Sequence, residues 1–225
     1  MRRRTFMMRG TCVEALMSFP IRIVPVGPVM ANCHILEFPE SVLLIDPGGD
    51  HEALLKLIGT RTVAALLFTH GHYDHIAALI PLKERFPAAA VMIHRLERDF
   101  LSDPSLNLSG HFGRGVAYTR EPERLLEDGD RLPLPDGSEL TVIHTPGHTP
   151  GGICFLAGGI LFSGDTLFRE SIGRCDLPGG DEELILKSIR EKLLVLPDDT
   201  RVLPGHMNAT SIGYEKKNNP FFTAG

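Results

Sequence analysis

The chain contains no apolar run approaching the roughly 20 residues that a membrane span needs. Its basic start holds only short apolar patches, a poor match to the core of a secretory leader. Its four cysteines, Cys12, Cys33, Cys154 and Cys175, form no CxxC pair and are widely spaced. That spacing gives no disulfide framework, and a reducing cytoplasm is the expected compartment. Cys33 and Cys154 lie in strand-like apolar contexts and read as small core residues. Cations are not in excess either: a net charge of -5 argues against a general nucleic-acid surface. Arg2, Arg3, Arg4 and Arg9 sit together with no acid among them, so the rest of the chain nets about -9. No repeat of fixed period and no low-complexity tract is visible.

What is present supports a sizeable core. Of 225 residues, 43% are hydrophobic, enough for one large domain or two small ones. Residues 1–17 read as an unstructured extension, with a targeting role as the alternative, and residues 18–225 as the working domain. The chain is organised around Thr69-His70-Gly71-His72-Tyr73-Asp74-His75. The apolar run Val63–Phe68 leads into it and reads as a buried strand. His70 and His72 are two apart, so extended backbone sends both rings to one side. Asp74 and His75 fall where the chain turns toward a helix. Two side chains aim at one point and two at a point beside it, which suits two neighbouring cations.

Around this stretch the pattern alternates. Ile21–Val26 reads as a strand whose Pro25 suits an edge. Cys33–Phe38 and Ser41–Ile45 form a hairpin around Pro39-Glu40. His51–Ile58 is a helix stopped by Gly59. Pro81 fits only a first helical turn, so residues 75–80 and 81–86 read as two short helices. Ala90–Ile93 is a buried strand ending at His94, Arg95–Leu101 a helix, and 102–121 a long loop of the kind more often functional than idle. Leu140–His144, Gly152–Leu156 and Gly159–Ser163 are strands. Glu182–Leu194 is an amphipathic helix with Ile185, Ile189 and Leu193 in one row. Arg201–Leu203 is a last strand. Three further candidate ligands follow strands and adjoin glycines: His148, Asp165 and His206.

The succession His-x-His-x-Asp-His, Gly-His-Thr-Pro-Gly, Gly-Asp and Gly-His resembles the metallo-β-lactamase superfamily over about residues 20–225. That resemblance implies an α/β fold, a four-layer αβ/βα sandwich of two mixed sheets flanked by helices, with ligands on loops at one edge. It implies that His70, His72 and His148 hold one metal, that Asp74, His75 and His206 hold a second, and that Asp165 bridges them. Asp46 matches a residue that steadies the ligand loop. Gly27-Pro28, Asn32-Cys33, the stretch Ser171–Gly180 and the tail around Tyr214, Lys216 and Asn219-Pro220-Phe221 are similar to the short bacterial glyoxalase II-like hydrolases (hydroxyacylglutathione hydrolases). Two departures stand out. The chain continues for only about twenty residues after His206, whereas the long enzymes carry a helical C-terminal domain that binds glutathione. His34 also stands where an aromatic residue is expected.

The implied chemistry is hydrolytic. Two dications less two carboxylates and a bridging hydroxide leave roughly +1, which favours anionic substrates. Five imidazoles and two carboxylates suit zinc, with iron or manganese as alternatives. Such ions lower the pKa of water to about 7. A thiolate, with a pKa near 8.5, leaves without a strong acid, so a small thioester of the hydroxyacylglutathione type is the expected substrate. Asp74 and Asp165 are the catalytic carboxylates, with Asp74 also placed to orient the nucleophile. Arg174 either pairs with a substrate carboxylate or braces its loop through Asp176 or Asp181. Lys216 is a weaker candidate for the same task, and His111 a candidate substrate contact. The alternatives are a mono-iron persulfide dioxygenase, a lactonase or β-lactamase on the same centre, and a metal-stabilised binding module. A closed structural site would use four cysteine or histidine ligands per ion, which the shared Asp165 disfavours. Neither nucleic acid nor membrane is an expected partner.

Overall fold

The computed structural model describes residues 19–113 and 115–223. The extension read at 1–17 lies outside them. Two six-stranded sheets carry the fold. The first runs β1 (Ile21–Val26), β2 (Ala31–Glu37), β3 (Ser41–Ile45), β4 (Thr62–Leu67), β5 (Ala90–His94) and β6 (Arg124–Leu126), side by side in chain order. Pairs β1/β2 and β2/β3 are antiparallel, and β3 to β6 are parallel. β1 is an edge strand, where Pro25 leaves no central ladder bond unmade.

The second sheet is built from β7 (Arg131–Pro133), β8 (Glu139–His144), β9 (Ile153–Ala157), β10 (Ile160–Gly164), β13 (Arg201–Pro204) and β14 (Thr210–Ser211). Its order is β14-β13-β10-β9-β8-β7, with β10 and β13 parallel and the other neighbours antiparallel. A two-stranded ribbon, β11 (Leu167–Phe168) with β12 (Ser171–Ile172), follows β10. The helices are α1 (His51–Ile58), α2 (Tyr73–Ile76), α3 (Leu79–Arg85), α4 (Glu182–Ser188), α5 (Ile212–Asn218) and α6 (Pro220–Thr223).

The strands are apolar on both faces, and period-2 alternation divides them among three cores. Ile35, Leu44 and Leu66 pack outward onto α1, α2 and α3. Their sequence neighbours Leu36, Leu43, Ile45 and Leu67 pack between the sheets against Phe155, Phe162 and Leu203. On the far side Cys154, Leu161 and Val202 meet Ile185, Ile189, Leu193 and Ile212. Three apolar seams imply four layers, helix–sheet–sheet–helix. No helix among the described residues is long and apolar enough to cross a membrane.

Three local expectations need correction. The break between the short helices falls at Ala77-Ala78, not at Ile80-Pro81, because Ala78 donates its N–H to the Pro47 carbonyl at 3.0 Å. Pro81 then occupies the first turn of α3, where no intrahelical donor is required. Residues 95–101 form two 3₁₀ turns, Arg95–Glu97 and Asp99–Leu101, rather than one helix. The His94 ring accepts the Leu96 N–H at the start, and Glu97 is turned wholly inward. Finally, α4 continues as a widened turn over Ile189–Leu193, closed by Leu194 N–H to Ile189 O. Ile185, Ile189 and Leu193 all stay buried.

Candidate metal centre

The parallel β4 strand ends at Leu67, and the next residues cross the open edge between the two sheets. There His70, His72 and His148 bring ligand atoms within 4.8 Å of one another, as do His70, His75 and Asp165, and Asp74, His75 and His206. The contacts between the sets are short. His72 Nδ1 lies 3.0 Å from His148 Nε2. His206 Nε2 lies 3.0 Å from Asp74 Oδ2 and 3.6 Å from Asp165 Oδ2. Asp165 also stands 3.4 Å from His75 Nε2 and 3.8 Å from His148 Nε2, so one carboxylate reaches both histidine groups. All seven residues singled out in the sequence meet at this edge.

The donor atoms fit cations. His70 Nε2, His72 Nε2, His75 Nε2 and Asp165 Oδ1 are buried and have no hydrogen-bond partner in the protein. Buried polar atoms without partners are rare and costly. Three of these residues, His70, His75 and Asp165, form one of the candidate ligand sets, where one bound group would satisfy them together. Burial, then the neighbouring His148, pulls His72 down to about 3, and burial with the surrounding imidazoles pulls His70 well below its ordinary value. Both therefore present neutral, ligating nitrogens. His75 behaves oppositely. Burial disfavours its charge, but Asp165, Asp74 and Asp46 together outweigh that and hold it well above the usual range. Burial also opposes charge on Asp165, yet His75, His148 and His206 keep it ionised far below the ordinary carboxylate range.

A supporting layer fixes these ligands. Asp46 Oδ1 accepts the Thr69 N–H at 2.8 Å, and its Oδ2 accepts the Thr69 hydroxyl at 2.6 Å and faces His75 Nδ1 at 3.1 Å. His75 is thereby held with Nε2 toward Asp74 and Asp165. His148 Nδ1 is oriented by the Arg174 carbonyl at 2.7 Å. Asn32 donates to the carbonyls of Pro204 and Met207, each at 3.0 Å, and so brackets His206. Backbones approach too closely here for larger residues: a Cβ on Gly48 would lie 1.5 Å from the Asp74 carbonyl oxygen, and one on Gly173 1.8 Å from that of Asp165.

Glu97 was invisible in the sequence. It is wholly buried and accepts the N–H of Gly71, between His70 and His72, and the N–H of Gly151, just after His148, each at 2.8 Å. Its nearest textual signal is an acid three residues past the end of a buried strand, which equally suits an exposed turn. Thr69 and Asn32 were likewise legible only as neighbours of the motifs.

The two substrate-contact candidates part company. Arg174 lines a cavity of about 400 Å³ beside the cluster. Its guanidinium grips Asp176 through two bonds of 2.6 and 2.7 Å. Lys216 instead pairs with Asp198 at 2.6 Å and reaches the Leu196 carbonyl, and it does not line that cavity. The sequence placed it near substrate only through its neighbours in the tail; the α5 helix turns it toward the 196–198 turn. His111 is exposed and off the cavity lining. His94 and His144 stack on each other at 4.2 Å, away from the ligands.

Comparison with known proteins fits this geometry. The chain belongs to the metallo-beta-lactamase superfamily, whose family model matches residues 26–206. Within it the His/Asp metal-binding cluster marks a metal-dependent hydrolase. The probable metallo-hydrolase YqgX of Bacillus subtilis (strain 168) is 40% identical over 204 residues, 89% of this chain and 96% of that one. The hydroxyacylglutathione hydrolase GloC of Haemophilus influenzae is 37% identical over 210 residues, covering 91% of this chain and 98% of its own. The solved structure of TTHA1623 in a di-iron-bound form aligns with a TM-score of 0.79 and 39% identity, over 89% of this chain and 99% of that one.

Proposed function

We propose that this chain is a dinuclear metal-dependent hydrolase that cleaves small thioesters of the hydroxyacylglutathione type to an acid and a thiol. The observation that carries the reading is Asp165, a carboxylate within 3.4 to 3.8 Å of His75, His206 and His148 at once. His70, His72 and His148 would hold one ion, Asp74, His75 and His206 the other, with Asp165 shared. When bound, such a pair supplies hydroxide near neutral pH and polarises a carbonyl. Zinc suits the donor set, and iron is a strong alternative given the di-iron relative.

The protein's own groups do the rest. Asp74, steadied by His206 at 3.0 Å, orients the attacking water. Asp46 and Glu97 keep the imidazoles aimed. The water gives up a proton to solvent as its oxygen bonds to the acyl carbon, the C–S bond breaks, and its electron pair leaves on sulfur as thiolate, which takes up a proton to give the thiol. A thiol pKa near 8.5 makes that departure feasible without a dedicated acid; outside the cluster, Tyr73, Ser171 and Arg174 are the polar residues of the described lining. The similarity to GloC supports the thioester class.

The test is metal analysis together with a panel of lactoylglutathione, simple thioesters, lactones and glutathione persulfide. Two metals per chain and thioester cleavage are the expected result. One iron per chain with oxygen uptake on the persulfide would replace this reading with a dioxygenase.

A further inference from the structure

The cavity beside the cluster has a polar floor and an apolar wall. His72, Asp74, His148, Asp165 and His206 form the floor. Val29, Leu108, Phe168, Ile172, Leu177 and Met207 form the wall. Among the described residues eight large apolar side chains are exposed, and two of them, Val29 (46% exposed) and Met207 (62%), line this mouth. Met207 and Leu108 also hold backbone φ of 65° and 66°. That is the left-handed region, which a residue with a Cβ occupies at a cost and which clusters at working sites. The fold thus keeps two bulky apolar residues in strained positions at the rim.

Among the described residues Arg174 is the one arginine or lysine of this lining, and both arms of its guanidinium are held by Asp176. Lys216, which could have supplied another, faces Asp198. A thiol carrying two carboxylates therefore finds, in the described lining outside the cluster, one ion-paired arginine and the side chains of Tyr73 and Ser171, while a hydrocarbon chain finds six apolar residues. Recognition in a site of this kind comes from removing apolar surface from water.

We propose that the preferred acyl half of the substrate is an unsubstituted hydrocarbon chain, longer than a lactoyl or acetyl group, seated between Leu108, Phe168, Ile172 and Met207. The carbonyl lies over the histidine and aspartate floor, and the thiol half contributes little to selection. This rests on the thioester-hydrolase part of the reading above and departs from its hydroxyacylglutathione part by naming a different preferred acyl class.

The experiment uses the full chain with its metals and measures kcat/KM for acetyl, butanoyl and hexanoyl thioesters of N-acetylcysteamine, beside lactoylglutathione. Each added methylene is expected to raise kcat/KM about two- to fourfold. Lactoylglutathione should fall below the hexanoyl ester. Leu108→Asn keeps a residue type that tolerates the left-handed backbone. It should cut the hexanoyl-to-acetyl ratio about tenfold, and Val29→Ser should lower the same ratio, each at full metal content. A flat chain-length profile, or a preference for lactoylglutathione that Leu108→Asn leaves intact, overturns the acyl assignment and leaves the hydrolase standing. Metal-loaded protein that cleaves none of the thioesters overturns the hydrolase reading itself.

Discussion

The Glu97 carboxylate accepts the backbone N–H of Gly71 at 2.8 Å, between the two histidines that open the metal cluster. Its other oxygen takes the Gly151 N–H, so one wholly buried acid ties the His70–His72 loop to the His148 loop. Burial raises its pKa, and the two backbone donors partly offset that. Glu97→Gln would turn one acceptor into a donor facing an N–H. We expect kcat/KM and metal affinity to fall by roughly 10- to 100-fold, the usual effect of losing a supporting partner. Kinetics and chelator competition on the folded variant measure this. Unchanged metal affinity would remove Glu97 from the site.

Replacing a direct ligand should do more. In Asp165→Asn the carboxylate that serves both histidine groups loses its charge. In His72→Ala one buried nitrogen disappears from the His70–His148 group. Activity is expected to drop by well over the roughly 100-fold attached to supporting residues. Metal per chain should drop with it. A variant of either kind that keeps both metals and most of its rate would show that the reacting centre lies elsewhere.

Asp46 offers a selective perturbation. It has φ 52°, a conformation asparagine also tolerates, so Asp46→Asn changes charge with little backbone strain. Its Oδ2 faces both the Thr69 hydroxyl and His75 Nδ1. His75 belongs to the group with Asp74 and His206, not to that of His72 and His148. Metal content should therefore decline from two per chain toward one, with His75 misaligned. Equal loss of both ions, or of neither, would contradict that division.

These residues also show what a sequence makes visible. The strands were legible because apolar runs with period-2 alternation leave few other options, and Leu43/Leu44 or Leu66/Leu67 divide between cores as that period requires. The seven cluster residues were legible together, through the dense His70–His75 stretch and the order of the later motifs, which resembles that of the superfamily; taken singly, His148, Asp165 and His206 read as loop residues. Glu97 was not, because its partners are backbone N–H groups 26 and 54 positions away, and backbone groups leave no mark in a sequence. Lys216 was misplaced because its nearness to the motifs is along the chain only; the turn holding Asp198 captures it. The strained rim at Leu108 and Met207 is a matter of φ, which an ordinary side chain does not announce.

Acid sensitivity should report on His34. Its ring is buried edge-on to Phe162, 5.2 Å between centroids, and neither nitrogen has a hydrogen-bond partner in the protein. Burial, then His75, lowers its pKa to about 3, and burial with the stacked His144 lowers His94 to about 4. Both lie below the unfolded value near 6.5, so the unfolded chain binds more protons between those limits. Their contribution to stability is complete above about pH 6.5 and declines as pH falls toward 4 and then 3. His75 and His206, held above the ordinary value, act in the opposite sense: their contribution is present below about 6.5 and lost as pH rises. The informative comparison is therefore between wild type and His34→Phe, both stripped of metal, by urea unfolding at pH 7 and pH 4.5. His34→Phe removes two unsatisfied nitrogens and should gain about 1 kcal/mol at pH 7. Its stability should also fall less between the two pH values. If the variant and wild type lose the same stability on acidification, His34 is protonated in both states and its burial has been misread.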